Sequence, residues 1–256
     1  MTQIRVHDQR IGNIEIVCHK GANAVAPENT YAAARQAIEW GADYVEVDVW
    51  TSRDGEMVIL HDSTVDRTTD GSGYVVSLTA NQLSALDAGQ WFSPRFAGEP
   101  IPVLREFLTW IRDRSRVFLD VKFAHPQQLL DVIYDTEMQE QCFIWSSSDL
   151  WMALVHELDP SIPLKINVAS PKAVLAARET YDVHIVEVQT DKMSPALVQV
   201  CREQGIKLMI NEMNRDPDAF RKAIAWEPDM INLDHADLFQ KTLSEFNNNP
   251  SRREVS

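Results

Sequence analysis

Short apolar runs alternate with longer amphipathic runs along the chain, and this alternation predicts the elements of the fold. Eight runs are short, mostly apolar and rich in Val and Ile, which is typical of strands buried on both faces of a parallel sheet. These predicted strands are Glu15–His19, Tyr44–Trp50, Val117–Lys122, Cys142–Ser146, Leu164–Val168, His184–Gln189, Lys207–Asn211 and Met230–Asp234. The predicted helices between them are Thr30–Trp40, Leu104–Arg114, Gln127–Glu137, Asp149–Leu158, Lys172–Thr180, Pro195–Gln204, Asp218–Trp226 and Ala236–Phe246.

Eight strands that alternate with eight helices predict an α/β fold, and in particular a closed (β/α)₈ barrel of the TIM type. The barrel is expected to form one domain over residues 1–256. Periodicity alone does not separate this barrel from a doubly wound open sheet, which is the alternative. Ser148 and Ser194 each precede a predicted helix and are expected to cap its first turn.

One connection is much longer than the others. About fifty residues separate the second predicted strand from the second predicted helix, and connections of this length inside a compact domain are usually functional or form small subdomains. The segment predicts a small inserted subdomain after the second strand, at about residues 62–102, that covers the mouth of the barrel. Its aromatic residues Trp91, Phe92 and Phe96 are expected to pack within the subdomain.

Charge and cysteine content narrow the range of partners. The 256 residues carry a formal net charge of -14, which argues against binding to nucleic acid or to anionic lipid, because both attract clusters of Lys and Arg. A small anionic substrate remains compatible, since a metal ion and two lysines can reverse the local sign. Cys18, Cys142 and Cys201 are odd in number and far apart, so they are interpreted as buried thiols in a reducing compartment.

The chain contains no run that predicts insertion into a membrane. The first residues lack the continuous apolar stretch of a signal peptide, and no window approaches the roughly 18 apolar residues of a membrane span. These observations predict a cytoplasmic protein, and they leave open whether it forms a homo-oligomer. The polar residues Asn247–Ser256 are expected to be frayed.

Two predicted strands carry polar pairs with a spacing of two. Glu46 and Asp48 lie on the same face of the second strand, which in a barrel is the interior, close to the carboxyl end where barrel active sites lie. Two adjacent carboxylates repel each other unless a cation or a shared proton compensates them, and hard oxygen ligands suit Mg²⁺ or Ca²⁺. The alternative is an exposed edge strand with ordinary acidic residues.

The third predicted strand repeats this pattern with Asp120 and Lys122. Asp120 is a candidate third metal ligand, and Lys122 is a candidate ligand of a phosphate oxygen. The alternative is a salt bridge at the strand end. His19 and His61 each follow an apolar run, and histidine exchanges protons readily near neutral pH. A strand-end histidine often has only a structural role, but the two polar pairs make these two candidate catalytic residues.

Five segments in this part of the chain resemble a known family. They are His-Lys-Gly-Ala at 19–22, Ala-Pro-Glu-Asn-Thr at 26–30, Gly-Ala-Asp-Tyr-Val-Glu-Val-Asp-Val at 41–49, Asp-Gly-Glu-Met-Val-Ile-Leu-His-Asp at 54–62 and Asp-Arg-Thr-Thr-Asp-Gly-Ser-Gly at 66–73. In this order and approximate spacing they resemble the N-terminal signature of the glycerophosphodiester phosphodiesterases. The resemblance is dense from His19 to Val103, continues to Lys122 and is thin afterwards.

The resemblance implies roles for particular residues. His19 and His61 correspond to the catalytic histidines of the family, and Glu46, Asp48 and Asp120 to its metal ligands. Lys20 and Lys122 correspond to positions that contact phosphate. The resemblance also implies a TIM barrel with an inserted subdomain, one divalent cation (Mg²⁺ or Ca²⁺, with Mn²⁺ as a further option), and a small phosphodiester substrate that is hydrolysed to glycerol 3-phosphate and an alcohol.

The chain departs from the family pattern at three places, which concern the phosphate contact, the third metal ligand and the substrate wall. Lys20 stands where the family has Arg, Asp120 stands where it usually has Glu, and residues 211–214 replace a Trp-Thr-Val-Asn segment on the seventh strand. A lysine keeps the positive charge but loses the bidentate grip of an arginine on phosphate. A lysophospholipase D, a specialised sugar-phosphodiester hydrolase and a non-catalytic phosphate-ligand binding protein are therefore kept as alternatives.

Overall fold

The computed structural model describes residues 14–248. The strands are β1 Glu15–Cys18, β2 Tyr44–Thr51, β3 Met57–Ile59, β4 Arg116–Phe123, β5 Cys142–Trp145, β6 Lys165–Asn167, β7 Ile185–Gln189, β8 Lys207–Asn211 and β9 Met230–Leu233. The helices are α1 Tyr31–Glu39, α2 Ala80–Ser84, α3 Leu104–Ile111, α4 Pro126–Asp135, α5 Asp149–Leu158, α6 Pro171–Tyr181, α7 Pro195–Gln204, α8 Pro217–Ala225 and α9 Ala236–Asn248. The N-terminal residues used for the signal-peptide prediction, and the tail from residue 249 onward, lie outside the described residues.

The strands form a nearly closed parallel barrel. Their order is β5-β4-β2-β1-β9-β8-β7-β6, so the first strand pairs with the last one, as Ile16 does with Ile231. A parallel bridge between Ile144 and Leu164 joins the two ends of this order. Sequential strand order with pairing of the first and last strands is the TIM arrangement, and it excludes the doubly wound open sheet.

The predicted helix starts are confirmed at their caps. Ser148 and Ser194 accept hydrogen bonds from the backbone N–H groups of Trp151 and Leu197, so each serine satisfies a donor that the first helical turn leaves free. Helix α7 ends at Gln204 and is capped by Gly205, whose φ of +63° is a left-handed conformation that favours glycine. Local capping chemistry therefore fixes where these outer helices begin and end.

The barrel interior is apolar at one end and polar at the other. Seven buried side chains from seven strands form a cluster at the amino end of the barrel: Val17, Tyr44, Phe118, Phe143, Ile185, Met209 and Met230. Side chains of a strand alternate between its two faces, so the residues two and four positions later also face inward. In β2 these are Glu46 and Asp48, and in β4 they are Asp120 and Lys122. An apolar floor thus supports a polar layer at the carboxyl end.

The connection after β2 is ordered. Strand β3 pairs antiparallel with β2, with Val49 opposite Ile59, and neither β3 nor the short helix α2 belongs to the predicted elements. A hydrophobic cluster separate from the barrel core lies along this stretch and consists of Val58, Leu60, Val65, Val75, Ala80, Leu83, Ala88 and Ile101. Trp91 and Phe96 both contact the ring of Phe92, at 5.7 and 5.8 Å between centroids.

The cysteines and the helices agree with the expectations from the sequence. Cys18, Cys142 and Cys201 are buried free thiols. Within residues 14–248, none of the helices combines the length and the apolar character that crossing a membrane requires.

Candidate active site

Three carboxylates from adjacent strands meet in the polar layer of the barrel. Glu46 and Asp48 belong to β2 and Asp120 belongs to β4, and the strand register places Asp48 directly beside Asp120. One oxygen from each carboxylate lies within 4.8 Å of the others. Glu46 and Asp48 are each only 1% exposed, so the edge-strand alternative is wrong for this pair.

The loop between β1 and α1 closes over this triad. The side-chain amide of Asn29 donates to Asp48 over 2.7 Å and accepts from the backbone N–H of Asp48 over 3.0 Å. The backbone N–H of Lys20 donates to Glu46 over 2.5 Å. Lys20 and Asn29 both have positive φ values, of 56° and 60°, which the tightly wound loop imposes. The loop therefore orients two of the three carboxylates.

The triad holds more negative charge than its neighbours neutralise. Lys122 Nζ lies 2.9 Å from Asp48 and 2.8 Å from Asp120, which makes one ammonium for three carboxylates. Burial and the charges of Asp48 and Asp120 raise the pKa of Glu46 well above its ordinary value. Burial and the charge of Asp48 likewise raise the pKa of Asp120. A group of buried acids with raised pKa values favours the arrival of a further cation.

Two oxygen atoms of the triad are free to bind such a cation. Among the described residues, Glu46 Oε1 and Asp120 Oδ1 are buried and have no hydrogen-bond partner. Buried polar atoms nearly always have partners, and an exception often marks an ion site. Carboxylate oxygens are hard ligands that suit Mg²⁺, Ca²⁺ or Mn²⁺. The triad therefore fits a divalent cation.

His19 lies just after β1 and is held by an acidic residue from the other end of the chain. Its Nδ1 is 2.8 Å from Asp234, which also accepts a hydrogen bond of 2.6 Å from the Asn23 amide. Burial alone would raise the pKa of Asp234, but its hydrogen bond to His19 and the nearby charge outweigh burial and lower that pKa. An ionised Asp234 accepts a hydrogen bond from an Nδ1–H group, which favours the tautomer of His19 whose Nε2 is free to act as a base.

His61 is held in a similar way from the opposite loop. Its Nδ1 is 2.7 Å from Asp62, and Asp62 in turn accepts a hydrogen bond of 2.6 Å from Arg67 Nε. The hydrogen bond from Arg67 is the largest influence on Asp62, and it helps to lower the pKa of that carboxyl to about 2. Asp62 is therefore an anion that fixes the proton of a neutral His61 on Nδ1.

The two lysines have carboxylate partners in this structure. Lys20 Nζ lies 3.5 Å from Glu28, and Lys122 bridges Asp48 and Asp120. Gly21, directly after Lys20, has φ +75°, and a Cβ at this position would lie 2.8 Å from the Cβ of Ala33. A glycine is thus required where the loop passes helix α1.

A second polar cluster lies further round the barrel interior, on β6 to β9, and is separated from the triad by Trp145, whose ring both Lys122 and Lys165 approach. Lys165 on β6 donates to Glu187 on β7 over 2.5 Å, and the amides of Asn211 and Asn232 each donate to the same carboxylate over 3.0 Å. Burial opposes ionisation of Glu187, but the charge of Lys165 and these hydrogen bonds lower its pKa overall. The Lys165 ammonium also lies 4.3 Å from the ring centroid of Trp145.

The substituted segment, which starts at the last residue of β8 and continues beyond it, lines a cavity that extends along helix α8 to Trp226. Asn211, Glu212, Met213 and Asn214 form part of its wall, and the cavity has a volume of about 830 Å³. Both oxygens of Glu212 are occupied, since it accepts from Thr190 over 2.7 Å and from the amide of Asn214 over 2.7 Å.

All seven residues singled out from the sequence lie at the carboxyl end of the barrel or in the loops that follow its strands. Glu46, Asp48, Asp120 and Lys122 are in direct contact as a group. Sequence reasoning did not single out five residues that support them: Glu28, Asn29, Asp62, Arg67 and Asp234. The first four stand inside the quoted family segments, and Asp234 follows the last barrel strand, so each carried a positional signal.

The chain matches known proteins over most of its length. The glycerophosphoryl diester phosphodiesterase family matches residues 19–238. A glycerophosphodiester phosphodiesterase of Caldanaerobacter subterraneus subsp. tengcongensis is 32% identical over 217 residues, which cover 80% of this chain and 88% of that protein. A glycerophosphodiester phosphodiesterase of Bacillus subtilis is 26% identical over 249 residues, covering 88% of this chain and 85% of that protein.

Solved structures give the same result. A glycerophosphodiester phosphodiesterase from Agrobacterium tumefaciens superposes with a TM-score of 0.85 at 32% identity, covering 89% of this chain and 99% of that one. A phosphodiesterase from Oleispira antarctica was solved in complex with the product sn-glycerol-3-phosphate. It superposes with a TM-score of 0.82 at 26% identity, and the match covers 90% of this chain and 96% of that one. With its barrel, its acidic triad and these matches, the chain belongs to the glycerophosphodiester phosphodiesterase family of hydrolases.

Proposed function

We propose that this protein hydrolyses glycerophosphodiesters to glycerol 3-phosphate and an alcohol with the help of one divalent cation. The observation that carries this proposal is the buried triad of Glu46, Asp48 and Asp120, whose charge exceeds that of its lysine and in which one oxygen of each carboxylate lies within 4.8 Å of the others. The similar phosphodiesterase from Oleispira antarctica binds sn-glycerol-3-phosphate, which supports the same product here.

The triad would hold the cation through carboxylate oxygens. When bound, a Mg²⁺ or Ca²⁺ ion (or Mn²⁺) neutralises phosphate charge and favours attack on phosphorus. In the same layer, Lys20 and Lys122 supply positive charge for the additional negative charge of the transition state. Lys20 would supply most of this charge from the β1–α1 loop. Lys122 would also keep the carboxylates of Asp48 and Asp120 in place.

The two histidines would move the protons. One removes a proton from the free glycerol hydroxyl of the substrate, whose oxygen attacks phosphorus, while the other protonates the departing alkoxide as its bond to phosphorus breaks. The product of this step is a cyclic phosphate and the free alcohol. In the second step water opens the ring and the histidines exchange roles, which restores both protons. Asp234 and Asp62, which contact Nδ1 of His19 and His61, favour Nε2 as the reacting atom.

The segment at residues 62–102 would act as an inserted subdomain over the barrel mouth. Its separate hydrophobic cluster and the mutual contacts of Trp91, Phe92 and Phe96 support this assignment. A cap of this kind limits access of water to the polar layer and adds contacts to the alcohol part of the substrate.

The test is the release of glycerol 3-phosphate from glycerophosphocholine and glycerophosphoethanolamine. The purified protein is assayed after EDTA treatment and again with added Mg²⁺, Ca²⁺ or Mn²⁺. We expect release only with metal, and we expect His19→Ala and His61→Ala each to lower kcat by about 10²–10⁴.

Full activity after complete removal of metal would reject the cation. A variant with nearly normal kcat would remove that histidine from the mechanism. Tight binding of the diesters without turnover in any metal would favour a non-catalytic binding protein instead. Turnover of lysophospholipids, but not of the two glycerophosphodiesters, would assign a lysophospholipase D activity. Turnover of sugar phosphodiesters alone would assign a sugar-phosphodiester hydrolase.

A further inference from the structure

A continuous chain of charged contacts joins the loops that carry the two histidines. Arg67 donates from Nη1 and Nη2 to both oxygens of Glu28, over 2.9 and 2.7 Å, and from Nε to Asp62 over 2.6 Å. Asp62 contacts His61, and Glu28 contacts Lys20, the neighbour of His19. One guanidinium therefore connects the β3 side of the mouth with the β1 side.

The geometry of Arg67 is specific to a guanidinium. A planar fork that meets one carboxylate with two parallel hydrogen bonds and a second carboxylate with Nε fixes both partners in distance and direction. The Arg67 side chain is 44% exposed, so the charges alone contribute little to stability in water. The main effect of Arg67 is therefore to orient Glu28 and Asp62, whose side chains are only 14% and 30% exposed.

We propose that Arg67 is a positioning residue that holds His61 through Asp62 and Lys20 through Glu28, and so fixes the relative placement of the two histidine loops. The inference rests on the proposed function, because it assigns Arg67 to the acid–base reaction of His19 and His61. Arg67 does not touch the acidic triad, so it acts on the proton-transferring groups and on the charge at Lys20.

The segment after β3 also contains a matched control, a residue that only attaches this segment to the β1–α1 loop. Arg95 donates to the backbone carbonyl of Val25 over 2.6 Å, and Glu99 accepts from the backbone N–H of Ala32 over 2.8 Å. Both contacts fasten the segment after β3 to the β1–α1 loop and the start of α1, but neither reaches a histidine. A residue that only fastened the segment would behave as Arg95 does.

The kinetic experiment compares Arg67→Ala, Arg67→Lys and Arg95→Ala with the wild type, with metal added. We expect Arg67→Ala to lower kcat about 10–100-fold and to change KM less than about threefold, because a small displacement of a catalytic group affects the reaction more than binding. Arg67→Lys should lie between, since an ammonium keeps the charge but cannot reproduce the two parallel hydrogen bonds to Glu28 together with the Nε contact to Asp62. Added guanidinium chloride at low millimolar concentration should partly restore Arg67→Ala.

A surface variant supplies the baseline. Arg105 pairs with Asp135 over 2.8 Å and its side chain is 45% exposed, close to the value for Arg67, but this ion pair joins the outer helices α3 and α4 and includes no residue of a histidine loop. Arg105→Ala should keep kcat within about twofold. An equal loss of kcat in Arg67→Ala and Arg95→Ala, or no loss in Arg67→Ala, would overturn the proposal.

An imidazole nitrogen NMR spectrum tests the proposal without turnover. In the wild type, His61 should carry its proton on Nδ1, and Arg67→Ala should give a mixture of both tautomers at His61, whereas Arg95→Ala should not. A His61 signal that is unchanged in Arg67→Ala overturns the inference whatever the activity. If the wild type is inactive on every glycerophosphodiester while Arg67→Ala still shows the tautomer change at His61, the proposed function is rejected and the positioning role of Arg67 stands.

Discussion

The barrel interior contains two buried polar clusters that differ in how their charges are balanced. On β2 and β4, three carboxylates face one ammonium, and Glu46 Oε1 and Asp120 Oδ1 have no hydrogen-bond partner within the described residues. On β6 and β7, one carboxylate faces one ammonium, and Glu187 also accepts from two asparagine amides. The first cluster is short of positive charge, whereas the single carboxylate of the second has a partner on each of its oxygens.

The pKa directions express the same difference. Burial raises the pKa of Glu46 with the help of its acidic neighbours, whereas Lys165 and the amides more than offset burial at Glu187 and lower its pKa. Burial and acidic residues are common to both places, so neither identifies a functional site. The imbalance of charge does, because a buried cluster that lacks a counter-charge is stable only when it takes up protons or a cation.

The largest expected effect comes from neutralising the unbalanced cluster. Asp48→Asn removes one of the three carboxylate charges and should weaken binding of the cation beyond detection, so kcat with metal should fall by about 10³-fold or more, since a metal contributes several kcal/mol to the transition state. Calorimetric titration with Mn²⁺ and the glycerol 3-phosphate assay measure the two effects. Normal metal affinity in Asp48→Asn would show that the charge imbalance is not a metal site.

The next largest effect is expected from removing the positive charge of the balanced cluster around Glu187. Lys165→Met leaves Glu187 buried without its cation, which should lower the free energy of unfolding by about 3–5 kcal/mol. The double variant Lys165→Met/Glu187→Gln removes both charges and should recover most of this loss. Urea denaturation of the wild type and both variants measures it. Equal stability of the single variant and the wild type would show that Glu187 does not depend on the charge of Lys165.

The smallest effect is a dependence on pH. Because the pKa of Glu187 is lowered in the folded state, the unfolded state binds more protons below the ordinary value near 4.5, and the stabilisation from this group is lost as pH falls through the folded pKa. The stability of the wild type relative to the double variant should therefore decrease between pH 5 and pH 3. A difference that stays constant over this range would contradict the lowered pKa.

Much of the fold could be predicted because its signals are local. Each of the eight predicted strands and eight predicted helices has a counterpart, with ends that differ by a few residues. The strand β3 is only three residues long and was too short to be recognised by periodicity. The inserted subdomain and the domain boundaries remain predictions, since an ordered connection with its own apolar cluster does not by itself establish an independent unit.

In the candidate site too, the residues with local signals could be predicted, and those that depend on contacts between distant segments could not. The spacing of two predicted that Glu46 and Asp48 share one face of β2, and that Asp120 and Lys122 share one face of β4. His19 and His61 were predicted from their positions after apolar runs, and the resemblance to the family agreed with this. Asp234 was missed because it meets His19 across 215 positions of the chain, and no pattern within one segment predicts such a contact. Charge balance is equally invisible in the sequence, since Lys165 and Glu187 pair only after the strands are arranged.

The barrel has the mechanics of a ring with one gap. Ile144 and Leu164 form the bridge at which β5 meets β6, whereas continuous ladders connect all the other neighbouring strands of the ring. A split ring that opens at its gap bends most at the diametrically opposite point, and here that point is the pairing of β1 with β9. His19 and Asp234 follow these two strands, so the hydrogen bond that orients one of the two histidines spans the part of the ring that lies opposite its gap.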